Sequence, residues 1–283
     1  MGIKHVGDGK VVLLSGGDRV FTDVAARFVG SERSLDDITG SSYDKKLVKN
    51  IISSGHLAAT EFDYFIFGIE GYSRVTETQL VRKRLASYLI KSGRKDKGGK
   101  RSFDVVLPEE IEGNKTTLMI PRNKAFIQED NGEFTTLEDS LGMGEDFRMV
   151  MYTHDILGLI ESWYNEGVSL GYKEEDLRYL KPQATEFKAI IGMNAHALLD
   201  WFSIRCCLNA QTETRDLATS MLRLCKESSP DLFTNAGASC VRLGYCPENR
   251  LQNESCRGNI PTHETVLEYI EAIRVSTRRG TGM

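Results

Sequence analysis

Nowhere does the sequence hold about eighteen consecutive apolar residues, the length a helix needs to cross a bilayer. Nor is there an excess of positive charge: 36 Lys and Arg against 40 Asp and Glu leave a formal net charge of −4. A non-specific binder of long polyanions carries the opposite balance, so nucleic acid is not an expected partner. A small phosphorylated ligand stays open, because it needs only a few placed cations. The first ten residues are polar and glycine-rich and lack the apolar stretch of a secretory signal. Six cysteines in 283 residues make no disulfide framework. The expected compartment is the cytoplasm, with no membrane partner. There is no internal repeat and no low-complexity linker. The composition, 40% hydrophobic and 27% charged, is that of a globular protein with one large core or two small ones.

Local patterns predict the elements. Lys10–Ser15 reads as a short buried strand and Phe21–Val29 as a helix. Leu35–Ser54 is amphipathic with a break near Gly40. Phe62–Tyr72 is rich in aromatic and β-branched residues on both faces, which predicts a strand covered on both sides. Thr76–Lys91 has strong helix formers and no Gly or Pro, which predicts a helix. Ser92–Lys100 is a Gly/Lys-rich loop. Phe103–Leu107 and Thr117–Ile120 read as strands that could pair with each other, and Asn131-Gly132 as a turn. Gly144–Glu227 reads as mostly helical with a break at Pro182, Asn235–Asn259 as a loop with three cysteines, and Thr262–Val275 as a last helix. One mixed α/β domain is the simplest assembly of these parts.

The densest polar cluster is Gln79, Arg82, Lys83 and Arg84, followed by Ser92, Gly93 and Arg94. On a helix, Gln79, Arg82 and Lys83 share a face. A Ser-Gly-Arg turn after it offers backbone N–H groups, a hydroxyl and a guanidinium to a phosphate. A solvated basic helix followed by a flexible loop fits the same spacing. On a helix from Asn194 to Arg205, residues 194, 198, 201 and 205 form one stripe, while His196 and Asp200 lie on another face. Polar groups on two faces suggest contact with two sites or subunits; a merely exposed pair is the alternative.

Arg82-Lys83-Arg84, seven residues, then Ser92-Gly93-Arg94 resembles the signature of the flavin-dependent thymidylate synthases. That signature is Arg-His-Arg, seven residues, then Ser, a residue and Arg. Ala86-Ser87-Tyr88 is similar too. Gly55-His56 and Glu61 upstream, and Arg178, Asn194, Arg205 and Ala210–Arg215 downstream, resemble the family's other landmarks in the right order.

The resemblance implies an α/β (α+β) catalytic domain over residues 1–235, with a central, largely antiparallel sheet flanked by long helices. Residues 236–283 would be a Cys-containing C-terminal extension and final helix. It implies a homotetramer that methylates dUMP to dTMP with FAD, NADPH and methylenetetrahydrofolate. Gln79, Arg82, Ser92, Gly93, Arg94, Arg178 and Arg205 would bind dUMP. Arg94 and Arg178 would hold its phosphate, Arg205 would meet the uracil edge, and Ser92 would bind rather than attack. His56, Glu61, Arg82, Lys83, Arg84, Asn194, His196 and Asp200 would contact FAD.

Several family positions are changed: Lys83 stands for His, His196 for Arg and Asp200 for Asn, and Leu89 and Ile90 occupy a stretch that is often polar. Most of these lie on the flavin side. The favoured reading is FAD bound in a modified way with thymidylate synthesis retained. The alternatives are a relative that modifies another pyrimidine nucleotide, or a nucleotide-binding protein that has lost catalysis. Cys240, Cys246 and Cys256, with His263 or Cys225, could hold zinc, but their spacing fits no standard finger. Structural thiols, and no metal, are expected. Cys206 and Cys207 are expected to be buried packing residues.

Overall fold

Phe187, Ala189, Ile191 and Met193 alternate with Lys188, Ile190 and Gly192, a period that puts the first set on one face of an extended chain. The computed structural model describes residues 2–17, 20–92, 103–120, 126–128, 134–136, 147–248, 256, 260–262 and 264–271. In it this stretch is a strand, and those four side chains are buried.

In chain order, β1 (Ile3–His5) and β2 (Lys10–Ser15) precede α1 (Thr22–Gly30), α2 (Leu35–Thr39) and α3 (Lys45–Ser54). A 3-10 turn at Leu57–Phe62 enters β3 (Tyr64–Ser73), followed by α4 (Arg74–Leu80) and β4 (Ala86–Ile90). Next come β5 (Val105–Leu107), α5 (Glu109–Glu112), β6 (Lys115–Ile120), β7 (Phe126–Gln128), β8 (Phe134–Thr136) and β9 (Phe147–Tyr152). Then follow α6 (Thr153–Ser169), α7 (Glu174–Leu177), β10 (Glu186–Asn194), α8 (Ala195–Arg205), α9 (Thr212–Ser228) and α10 (Ser239–Leu243). Residues 264–271 are helical, within the expected last helix.

Where the sequence suggests one mixed domain, the contacts fall into two compact units. The larger is Val6–Lys91 with Glu186–Met283; the smaller is Met1–His5 with Ser92–Thr185. The larger unit carries an antiparallel sheet in the order β2-β3-β10-β4. Phe65, Phe67 and Ile69 of β3 join Ile191 and Met193 of β10 against Leu198 and Phe202 of α8 and Leu217 and Met221 of α9. Each such side chain contributes roughly 1.5–3 kcal/mol on burial. In the smaller unit β1 pairs with β5 in parallel and β6 with β9 antiparallel. Phe103, Val105 and Leu107 pack there with Leu157, Tyr164 and Leu177.

Several expectations change. Lys10–Ser15, expected to be a buried strand, is a strand of half-exposed and exposed residues because the helices of the larger unit leave one side of its sheet open, and the loop expected over Asn235–Asn259 contains α10. The predicted helix over Thr76–Lys91 ends at Leu80, and Ala86–Ile90 is an edge strand paired with β10. Good helix formers yield because the sheet offers Ala86, Tyr88 and Ile90 a face to pack on and a ladder for their backbone. The mostly helical reading of Gly144–Glu227 fails at β9 and β10 for the same reason. Val105–Leu107 and Lys115–Ile120 do not pair with each other. Finally, β3 is buried on one face only. Its other face, with Val12, Leu14, Leu89 and Ile190 of its neighbours, is exposed or half-exposed, because the helices of this unit cover one side. The Asn131-Gly132 turn lies outside the described residues.

Glu213, at the start of α9, is 3% exposed and holds the entry to α4. It accepts the Ser73 N–H at 2.6 Å, the Ser73 hydroxyl at 2.5 Å and the Thr76 hydroxyl at 2.9 Å. Glu213→Gln keeps the shape but turns one acceptor into a donor facing donors. Urea unfolding should show a loss of about 1–3 kcal/mol; an unchanged midpoint would remove this carboxylate from the fold's support.

Candidate functional site

Strand β10 passes into α8 without a loop. Asn194 ends the strand and caps the helix, its Oδ1 accepting the Ala197 N–H at 2.8 Å. Leu198 and Trp201 are buried, and Arg205, in the last turn, is half-buried. The expected stripe therefore forms, with half-buried His196 and exposed Asp200 off it. The Arg205 guanidinium lies 5.4 Å from the centre of the Trp201 ring. Its Nη1 donates to Gln79 Oε1 at 2.7 Å. Gln79 Nε2 donates to Gln211 Oε1 at 3.4 Å, which also accepts the Thr214 hydroxyl at 2.7 Å. Burial first, then the charge of Arg82, lower the proton affinity of Arg205. Two cations held close in this way make a place that an anion would stabilise.

Because α4 stops at Leu80, Gln79 sits in its last turn, while Arg82, Lys83 and Arg84 lie in the turn that leads to β4. The shared helical face expected for Gln79, Arg82 and Lys83 does not exist; a turn presents the cations instead. Tyr88 pins that turn. Its hydroxyl, pushed up to about 12 by burial, lies 2.8 Å from Leu80 O and 2.9 Å from Lys83 O and donates its one proton between them. Lys83 Nζ forms an ion pair with Asp200. His196 Nδ1 is 3.1 Å from Glu61 Oε1. Both pairs run along the outer side of α8.

The larger unit thus brings together Gln79, Arg82 and Arg205, and separately Lys83 with Asp200 and Glu61 with His196. His56, after Gly55 (φ +78°) at the end of α3, is exposed, as is Arg84. Ser92 and Arg178 belong to the smaller unit, and both are exposed. The Arg178 guanidinium lies 5.9 Å from the centre of the Tyr179 ring. Gly93 and Arg94 lie outside the described residues. The sequence did not single out Tyr88 or Trp201 as parts of the site. Trp201 was legible as the residue one turn before Arg205 on the same stripe; Tyr88 was hidden by the helix assigned to its segment.

Cys225 is buried in the core of the larger unit, away from any surface site. Cys206 is half-buried, its thiol pushed up to about 11 by burial. Cys240 is raised by burial and then by the nearby thiols of Cys207, Cys246 and Cys256. Among the described residues no three His, Cys, Asp or Glu side chains could hold a metal ion as they stand. His263 lies outside the described residues.

The sequence matches, over residues 13–231, the family model described as thymidylate synthase complementing protein. A flavin-dependent thymidylate synthase of Nitratidesulfovibrio vulgaris is 39% identical over 201 residues, covering 71% of each chain. One of Clostridium tetani is 35% identical over 227 residues, 79% of this chain and 82% of its own. Among solved structures, the UMP/dUMP methylase PolB from Streptomyces cacaoi, bound with 5-Br dUMP, superposes with a TM-score of 0.60 at 16% identity. The match covers 83% of this chain and 96% of that one, and at this identity it is a likeness of fold.

The cap at Asn194 can be tested directly. Asn194→Ala should cost about 1 kcal/mol in chemical unfolding, and Asn194→Asp, which keeps an accepting oxygen, clearly less. Equal losses for the two would mean that the side chain serves something other than the helix start.

Proposed function

We propose that this chain, which belongs to the thymidylate synthase complementing protein family and is an enzyme of the flavin-dependent thymidylate synthase type, methylates dUMP at C5. In this reading 5,10-methylenetetrahydrofolate is the carbon donor, NADPH the reductant and FAD the bound cofactor. The observation that carries it is the half-buried pairing of Arg205 with Gln79, with Arg82 close by.

The residues fit both ligands. A nucleotide's negative charge would offset the crowding of Arg82 and Arg205. The amide of Gln79, oriented by Arg205 and Gln211, can read a uracil edge. Asn194 uses its oxygen in the cap, which leaves its amide N–H groups to donate to a flavin. His56, Glu61, Arg82, Lys83, Arg84, His196 and Asp200 would complete the flavin contacts, while Ser92, Gly93, Arg94 and Arg178 would complete the nucleotide site, the two last on its phosphate. When bound, reduced flavin supplies the hydride and relays the one-carbon unit. The protein holds the uracil flat and in register for it, and Arg205 stabilises charge that develops on the ring. Ser92 hydrogen-bonds the nucleotide and attacks nothing.

A homotetramer in the cytoplasm is part of the same proposal. The open face of the sheet, a groove of about 550 Å³ lined by Val12, Leu14, Leu89 and Ile190 with Lys10 and Lys188 at its edge, supports association of copies. Among the described residues no helix is long and apolar enough to cross a membrane. That Lys83 and Asp200 neutralise each other favours FAD bound in a modified way over a lost flavin site.

The purified protein should be yellow, or become so when FAD is added. Its reduced flavin should be reoxidised by dUMP plus methylenetetrahydrofolate without air. A protein that stays colourless with FAD would end the synthase reading. Arg178→Ala should weaken dUMP binding at least about ten-fold and FAD binding far less, as expected for a lost charge-assisted phosphate contact. Equal losses would show that the division of residues between the two ligands is wrong. Ser92→Ala should keep measurable turnover; complete inactivity with normal dUMP binding would contradict its passive role.

A further inference from the structure

The Lys83–Asp200 ion pair and the Arg205–Gln79 hydrogen bond tie one short stretch, residues 79–83, to one helix at two points. Arg82 sits between the two tethers on that stretch. It is exposed and has no acidic partner among the described residues. Arg82 and Arg205 carry like charge, so the turn and α8 repel each other there. Leu80 anchors the start of the turn in the core that Leu198 and Phe202 of α8 also enter, but Val81 and Leu85 on either side of Arg82 and its neighbours are 42% and 63% exposed, so apolar packing does not hold Arg82 itself. Tyr88 shapes the turn through hydrogen bonds to the turn's own carbonyls and packs on the core, but none of its hydrogen bonds runs to α8. The Gln79–Arg205 bond joins two groups that a ligand would also engage. Beyond Leu80, the ion pair is the link among the described residues that joins the turn to α8 without using the site's own contacts.

We propose that Asp200 is a positioning residue: through Lys83 it clamps the turn to α8 and so holds Arg82 beside Arg205 as a preformed anion site. Only the identity of the anion, dUMP, rests on the function proposed above; the clamp does not. Lys83, a point charge on a flexible stem, suits a tether better than a rigid donor would, since it reaches Asp200 without dictating the turn's backbone. Its side chain is 18% exposed and that of Asp200 53%, so one partner is held and the other can be tested from solvent.

Two roles for Asp200 give opposite signs. A bystander carboxylate beside a cationic site repels an anion, so Asp200→Asn would tighten nucleotide binding. A clamp, once cut, lets the turn drift, and binding weakens. The experiment is calorimetric titration of dUMP into the FAD-loaded full chain for wild type, Asp200→Asn, Lys83→Met, the double variant and Asp200→Glu. Each single removal should raise the dissociation constant roughly ten-fold or more, the scale of a displaced binding group. The double variant should be no worse than the weaker single, because both cut one link. Asp200→Glu should recover most of the loss, and KM should rise more than kcat falls. The second probe is inorganic sulfate, read as a rise in melting temperature: present in wild type and diminished in Asp200→Asn. Unchanged or tighter binding in Asp200→Asn, additive losses in the double variant, or a wild type stabilised by neither dUMP nor sulfate would overturn the clamp. If wild type responds to sulfate but not dUMP, and Asp200→Asn loses the sulfate response, the clamp stands and the dUMP reading falls.

Discussion

Strand β10 is hydrogen-bonded along both edges, to β3 on one side and β4 on the other, and the functional side chains inherit their places from that pairing. Ile191 stands opposite both Phe67 and Tyr88. A shift of one residue would turn Phe187, Ile191 and Met193 out of the core, so the register is strongly held. Because Asn194 ends this strand and also starts α8, the register determines where the helix begins. Helical geometry then dictates the directions in which Asp200 and Arg205 point. The sheet thus aims the site without any flexible connector between them.

Two of the residues that the sequence reading marks as departures from the family signature, Lys83 and Asp200, meet in the structure. Lys83 brings a positive charge and Asp200 a negative one. His196 Nδ1 lies within hydrogen-bond distance of Glu61. A lone carboxylate beside cationic side chains that could meet an anion would be unfavourable there; paired with an ammonium it becomes locally neutral. Lys83 and Asp200 are therefore compatible as a pair.

Elements whose signal is local were legible in the sequence. The aromatic and β-branched richness of β3, the break at Gly40 between α2 and α3, and the short apolar run of β2 depend on neighbouring residues, which locates these elements though not their burial. Ala86–Ile90 was not legible, because Leu85, Lys91 and the arginines before it are helix formers, and the strand exists only through a partner about a hundred residues away. The same holds within the site. Gln79, Arg82 and Arg205 could be grouped from their resemblance to a family. The Lys83–Asp200 contact spans 117 positions and joins two residues that depart from the family pattern, so nothing in a linear reading links them.

Lys91 and Lys188 remain joined by a backbone hydrogen bond of 2.8 Å just where β4 ends and β10 begins. Nearly all of the smaller unit, Ser92–Thr185, is therefore spliced into what would otherwise be an ordinary hairpin. The splice leaves and re-enters the sheet at neighbouring points, so lengthening a connection inside it adds closure entropy only with the logarithm of that connection's length, about 0.6 kcal/mol per doubling. Length changes in the connections of that unit are therefore mild, unlike changes within its packed elements, whereas one residue gained or lost in β10 flips its alternation and one in α8 rotates the later side chains of the helix by about 100°. Length variation among homologues should accumulate in the connections of the smaller unit and be purged from β10 and α8.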